Sequence, residues 1–523
     1  MGSWTRSVRA AGAIAVVLSL SACPAGGDAA PSAATTASDD EGVAVSTSAT
    51  LTGAWLDATD EAIGPTADYT NGVELADLDL DGDVDLLFAN GGDYTTPGEP
   101  AVSRVFLNRG DGTFEDATQD VLGETPALTR VIKVADLDAD GGPDIVMGTT
   151  YDTQSRLLLA DGSGGWVDST ATHLPAAGLS AGDLELGDVD ADSDLDIVIA
   201  DWGDGSPRGP GGRVVLWLND GAAHFTDATA DRMPQTLVRF SWDLEAVDVD
   251  NDWDLDLAVS CKLCPSSLLY VNDGAGRFDD VTSGRMPAFS NNYEFAPIDL
   301  DADGYLDLVT INDGAKSDAG PAEHVFRNDG GRFVDATADW WPTEANPGYD
   351  DAVVVGLDVE SDGDADFLIG SLDGPERVQI NDGTGLLTLA PDVVDAAPSQ
   401  GTLGLALADL DGDDRPDLVE AQGEVPGHWA EHVYRATDVL EPDTAPPVVR
   451  PQIVDGVVVA RVHDSRTPNR PHDWRSITAR WTGDELPMTW YGENLFRADV
   501  PDDARAGQVC ATDRAGNQAC SDW

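Results

Sequence analysis

A nine-residue pattern, Asp-x-Asp-x-Asp-Gly-x-x-Asp, recurs along the chain, and each copy runs into a short apolar stretch. The copies begin at Asp77, Asp136, Asp188, Asp248, Asp299, Asp358 and Asp409, in steps of 59, 52, 60, 51, 59 and 51 residues. Such a period makes each copy one supersecondary unit that buries its apolar face against the next. The length of 523 residues alone would suggest about three domains, and the repeat overrides that expectation.

Each period reads as four short strands. In the first they are a (72–76), b (85–89), c (104–108) and d (113–118), with the acidic motif between a and b. The c–d turn is Arg109-Gly110-Asp111-Gly112 and recurs as Asn219-Asp220-Gly221, Asn272-Asp273-Gly274, Asn328-Asp329-Gly330 and Asn381-Asp382-Gly383. Asp-Gly between alternating apolar runs is a strong hairpin signal. Four strands per period and seven periods predict an all-β chain built as a seven-bladed β-propeller over residues 54–440. The seventh unit has strands a, b and c but no d. Trp55-Leu56-Asp57-Ala58-Thr59, ahead of the first unit, is predicted to supply it and so close the ring.

Carboxylates at loop positions 1, 3, 5 and 9, a backbone carbonyl at 7 and a turn glycine at 6 converge on a hard cation. Two like charges ~4 Å apart cost about 4 kcal/mol at an effective dielectric of ~20, so a loop of four needs a counter-ion. Calcium is expected, in up to seven sites. The first comprises Asp77, Asp79, Asp81, Asp83 and Asp85; the second, Asp136, Asp138, Asp140, Gly142 and Asp144. The third comprises Asp188, Asp190, Asp192, Asp194 and Asp196; the fourth, Asp248, Asp250, Asp252, Asp254 and Asp256. The fifth comprises Asp299, Asp301, Asp303, Tyr305 and Asp307; the sixth, Asp358, Glu360, Asp362, Asp364 and Asp366; the seventh, Asp409, Asp411, Asp413, Arg415 and Asp417. Position 6 departs from glycine at Ser193, Trp253 and Asp414, and the bulky Trp253 makes the fourth site the poorest. An EF-hand would need Glu at position 12, where only Glu420 stands.

These copies resemble the FG-GAP or VCBS repeats of integrin-α-type propellers, and the Phe-x-Asp-x-Thr strand resembles that of cartilage-acidic-protein-like propellers. The resemblance covers roughly residues 54–440. It implies a calcium-binding propeller used in extracellular recognition or adhesion.

Antiparallel order puts the acidic loops on one face and the b–c connections on the other. The long b–c connections belong to odd-numbered units (90–103, 201–212, 312–323 and 422–431). Recognition residues concentrate on loops over a rigid scaffold. Tyr94, Trp202, Arg208, Lys316, His428 and Trp429 are therefore the ligand-contact candidates. His428-x-x-Glu431-His432 matches a zinc-enzyme spelling but runs into a strand, where residues four apart are ~13 Å apart. Neither a nucleophile elbow nor a phosphate loop is present, and no catalytic residue stands out.

Residues 1–22 read as a signal peptide, with Arg6 and Arg9 before an apolar run too short to span a bilayer. Leu20-Ser21-Ala22-Cys23 resembles a bacterial lipobox, making Cys23 the lipidation site ahead of a flexible linker over 23–53. The other cysteines are expected as two disulfides, Cys261–Cys264 and Cys510–Cys520, the second across a hairpin. Residues 443–523 read as a small immunoglobulin-like β-sandwich, a spacer or accessory binding module.

Lys and Arg number 29 against 96 Asp and Glu, a net charge of −67, which excludes binding through nucleic-acid phosphates. Contact with a membrane is expected only through the lipid anchor. The reading is an exported lipoprotein of the bacterial cell envelope, at the outer membrane or cell surface, that binds a glycan or protein ligand. The alternative is an envelope enzyme acting on polysaccharide or another polymer.

Overall fold

The computed structural model describes residues 51–92, 96–206, 209–312, 323–390, 392–394, 401–423, 429–454, 456–464, 473–501, 504 and 506–523. They are almost wholly β. Seven four-stranded antiparallel sheets fall between residues 55 and 436, one per repeat. In the first, Thr70–Ala76, Asp85–Asn90, Arg104–Asn108 and Phe114–Asp116 lie side by side in chain order. Strand a of each repeat packs beside strand a of the next, and that of the first packs on that of the seventh (Thr402–Ala408), giving a closed, propeller-like ring. Strand b is buried on both faces, as in Asp196–Asp201 with Ile197, Val198 and Ile199, because neighbouring sheets press on it from each side.

The strand ahead of the first repeat does complete the seventh sheet. Trp55–Asp57 pairs antiparallel with His432–Ala436, Trp55 opposite Ala436. Trp55 is fully buried, and its indole N–H donates to the Pro416 carbonyl at 2.7 Å.

Strand d is shorter than the sequence reading. In the first repeat it stops at Asp116, and Thr118–Val121 turns into one helical turn. The Asp-x-Thr signature drives the turn: Asp116 Oδ1 accepts the Thr118 N–H at 3.0 Å, and Thr118 Oγ1 accepts the Val105 N–H of strand c at 3.0 Å. A side chain that satisfies the backbone this way competes with the sheet ladder and wins. The same pair of bonds recurs at Thr170, Thr229, Thr282 and Thr337.

The asparagine that ends strand c ties neighbouring repeats together. Asn272 Nδ2 donates to Val189 O of the preceding loop at 2.8 Å and to Leu255 O of its own at 3.2 Å. Asn108, Asn219, Asn328 and Asn381 repeat the bond to the preceding loop, Asn108 reaching Leu410 of the seventh.

Residues beyond 447 form two four-stranded sheets. One holds Val448–Val454, Val457–His463, Leu495–Asp499 and Thr489–Gly492; the other holds Asp484–Pro487, Trp474–Trp481, Gln508–Asp513 and Gln518–Asp522. They share a core that includes Val458, Ala479, Phe496 and Val509. Cys510 faces Cys520 in register across the last hairpin, and the two are disulfide-bonded, as are Cys261 and Cys264. This sandwich packs onto the acidic loops. Among the described residues no helix is long and apolar enough to cross a membrane.

Candidate metal centres and ligand face

Each acidic loop is held open by its own backbone. The position-1 carboxylate accepts the N–H of position 6 on Oδ2, as from Gly82 to Asp77 and from Gly304 to Asp299, both at 3.0 Å. Two residues per loop take left-handed backbone. Position 6 does so at Gly82 (φ 99°), as expected, and also at Trp253 (φ 75°). Position 4 does so too, at Leu80, Ala139, Ala191, Asn251, Ala302, Ser361 and Gly412. That second requirement is hidden in the sequence, because non-glycine residues meet it in six of the seven loops.

The position-9 aspartate has two tasks. Asp85 accepts the Leu78 and Asn108 N–H groups, each at 2.8 Å, and so fastens its loop to strand c. Asp307 does the same with Leu300 at 3.1 Å and Asn328 at 2.7 Å. Burial is the main force raising these carboxyls: Asp85 to about 7, Asp144 to about 6, Asp196 to about 8, Asp256 to about 9, Asp307 to about 8, Asp366 to about 9 and Asp417 to about 7. Neighbouring loop carboxylates add to the rise in each.

The donor sets suit a hard dication. Carboxylate oxygens of Asp77, Asp79 and Asp85 lie within 4.8 Å of one another, as do those of Asp136, Asp138 and Asp144 and of Asp188, Asp190 and Asp196. The sets Asp248, Asp250, Asp252 and Asp299, Asp301, Asp303 meet the same limit. Buried oxygens without a hydrogen-bond partner occur on Asp77, Asp190, Asp250, Asp299, Asp301, Asp364 and Asp411. An all-oxygen set with orphaned buried carboxylates is compatible with calcium. Glu420, the one glutamate at position 12, is buried instead beside Tyr434, whose hydroxyl donates to it at 3.3 Å.

The sandwich sets arginines into this face. Arg461 Nη2 lies 3.1 Å from Asp248 Oδ2, and its Nη1 lies 2.7 Å from Asn251 Oδ1. Arg497 pairs with Asp188, Arg450 Nη2 lies 3.4 Å from Asp299 Oδ2, and Arg514 donates to the Gly82 carbonyl. The Tyr491 hydroxyl donates to Trp253 O at 3.2 Å, and its carbonyl accepts the Asp188 N–H at 2.9 Å.

Strand a of all seven repeats lines one central cavity of about 1160 Å³, with Arg461, Trp490 and Asn494 of the sandwich at the acidic-loop end. Its wall is uneven. Glu74, Asp183, Glu185, Glu245 and Glu294 face it from the first five repeats, together with Lys133, which pairs with Glu185 at 2.5 Å. The sixth and seventh repeats offer Val353, Val355, Leu403 and Leu405.

A family model for FG-GAP-like repeats matches residues 77–147, 136–199, 188–259 and 358–420, each match starting on a position-1 aspartate. The chain carries FG-GAP repeats. No curated protein matches it at significant similarity. Among solved structures, the FG-GAP chain is similar to an Agrocybe aegerita lectin that recognises non-reducing terminal N-acetylglucosamine, at 17% identity and a TM-score of 0.39 over 61% of this chain and 79% of that one. It is similar to BBS1N from its complex with ARL6DN at 11% identity and a TM-score of 0.43, over 75% of this chain and 98% of that one. A third likeness is to rhamnogalacturonan lyase YesW, at 14% identity and a TM-score of 0.38 over 73% of each chain.

On the face away from the acidic loops, the FG-GAP protein places two of the sequence candidates. Trp202 is buried (2% exposed) and packs edge-on to Tyr151 at 5.7 Å and Phe240 at 5.0 Å, with Trp242 at 5.4 Å. It supports the loops and offers no surface for contact. Trp429 is half-buried, and its backbone pairs with Asp68 through bonds of 2.9 and 3.1 Å. Trp242, overlooked in the sequence because it sits on a d–a connection just ahead of strand a, lines the cavity with Arg130 4.1 Å above its ring. Tyr94, Arg208, Lys316, His428 and the lipidation candidate Cys23 lie outside the described residues.

Proposed function

We propose that this chain is an exported, lipid-anchored recognition protein of the bacterial cell envelope. In this reading it is a calcium-stabilised seven-bladed propeller with an immunoglobulin-like tail. It binds a glycan or protein ligand on the face opposite the acidic loops, without turnover. The observation that carries the reading is the placement of the sandwich. Its residues line the central cavity beside the acidic loops, which leaves the opposite mouth for a ligand in this reading. Two disulfides suit an oxidising compartment. Aromatic groups such as Trp242, which lines the cavity, and the half-buried Trp429 are the usual means of gripping a sugar face or an interface anchor.

A panel of envelope glycans and envelope proteins, probed with the full chain in calcium, tests this. Saturable capture that Trp242→Ala or Trp429→Ala weakens about tenfold or more is expected. Capture unchanged by both variants would place the ligand elsewhere.

A further inference from the structure

The acidic loops differ in a way their shared spacing conceals. Glycine holds position 6 in the first, second, fifth and sixth loops, and Ser193, Trp253 and Asp414 hold it in the others. Each of those three exceptions carries two guanidinium groups on its carboxylates. In the third loop Arg497 pairs with Asp188, and Arg232 Nη2 lies 3.8 Å from Asp190 Oδ2. In the fourth, Arg461 lies 3.1 Å from Asp248, and Arg285 Nη1 lies 3.1 Å from Asp250 Oδ2. In the seventh, Arg435 Nη1 lies 3.0 Å from Asp411 Oδ2 and 3.2 Å from Asp417 Oδ2, while Arg415 Nη1 lies 3.0 Å from Asp413 Oδ2. Among the described residues, the carboxylates of the first and second loops make no ion pair, although Arg514 donates to the Gly82 carbonyl of the first and its charge acts on Asp77. The fifth makes one, from the 40%-exposed Arg450.

We infer that the third, fourth and seventh loops are keyed by the chain's own arginines and do not hold calcium tightly. A guanidinium supplies positive charge and directed N–H donors to oxygens that would otherwise repel one another. A dication bound to the same carboxylates would sit within a few ångströms of two such groups. Its affinity would fall by on the order of a hundredfold relative to an arginine-free loop.

The two departures have one cause. Non-glycine residues at position 6 are strained at φ 87° for Ser193, 75° for Trp253 and 63° for Asp414. Such backbone persists where surrounding contacts hold it. Trp253 packs against the cluster that contains Tyr491 and Leu495 of the sandwich, and its carbonyl accepts the Tyr491 hydroxyl. In the seventh loop the Arg415 Nε donates to Leu440 O at 2.7 Å, and Asp414 O accepts the Asp443 N–H at 2.7 Å. These loops join parts of the chain: the third and fourth seat the sandwich, and the seventh holds the exit segment that leads to it.

The inference rests on the reading that the glycine loops bind calcium, and one measurement separates the two. Equilibrium dialysis of the full chain against millimolar calcium counts the bound ions. Between one and four per chain is the expected result. Five or more overturns the division of the loops, and none overturns the calcium reading beneath it. The Arg415→Gln/Arg435→Gln double variant, checked for folding by circular dichroism, is expected to bind one ion more than the parent. A folded double variant with the parent's count would overturn the inference.

Discussion

Thr59 Oγ1 accepts the backbone N–H of Val433 at 3.0 Å, although 374 residues separate the two. The bond is the ring-closing copy of one made locally in five other repeats. There, as at Thr118 with Val105, donor and acceptor lie 12 or 13 residues apart. The chain therefore closes by a long-range version of its most frequent short-range contact. The strand just ahead of Thr59 also buries Trp55 completely.

Replacing Trp55 should open the ring. Trp55→Ala removes a large core side chain and the bond to Pro416 O, so a loss of about 3–5 kcal/mol is expected. Chemical denaturation checks it through the midpoint. Limited proteolysis should then cleave first near residues 51–60.

The asparagine between repeats is a separate brace. Asn272→Ala leaves the Val189 and Leu255 carbonyls buried without their donor. A cost of about 1–3 kcal/mol is expected, read as a lower unfolding midpoint with an unchanged denaturant slope.

The channel wall sets a pH dependence. Burial, then neighbouring carboxylates, raises Asp243 and Glu245 well above the usual carboxylate range; burial likewise raises Glu294, with Glu245 and Asp183 adding to it. A carboxyl raised in the folded chain stabilises it below the ordinary value of 4.5 and loses that contribution as pH climbs through the folded value. Glu294→Gln keeps an acceptor for the Val354 N–H, which Glu294 now holds at 2.9 Å. The variant should melt higher than the parent at pH 8, by about 1 kcal/mol or more, and show no gain at pH 4.

Much of this was readable from residues alone. The Asp-rich copies and Asp-Gly turns mark where strands a, b, c and d begin, because an apolar run between turn residues has few alternatives. The incomplete seventh unit and the orphan Trp55-Leu56-Asp57 segment point to each other. Asp-x-Thr was misread as extended strand because its helical turn depends on a bond from Thr118 to strand c, 13 residues away, which no local propensity reports. The left-handed position 4 hides behind Leu80 and Ala139, where loop closure overrides residue preference. Trp202 illustrates a different limit. A tryptophan on a long loop reads as a contact residue until its neighbours Tyr151, Phe240 and Trp242 are seen to enclose it. The docking of Arg461 on Asp248 joins residues 213 apart from separate sheets, a pairing no spacing announces.

The proposal that calcium stabilises the ring is most directly tested by the melting temperature of the full chain in millimolar calcium and after rigorous chelation. Extracellular sites bind with dissociation constants on the order of 10⁻⁴–10⁻³ M, so four filled loops together supply about 2–6 kcal/mol at millimolar calcium. A drop of roughly 2–6 °C on chelation, reversed by added calcium but not by equal sodium chloride, is the predicted result. An unchanged melting temperature would mean that the acidic loops stand without a bound cation, contradicting the role assigned to them.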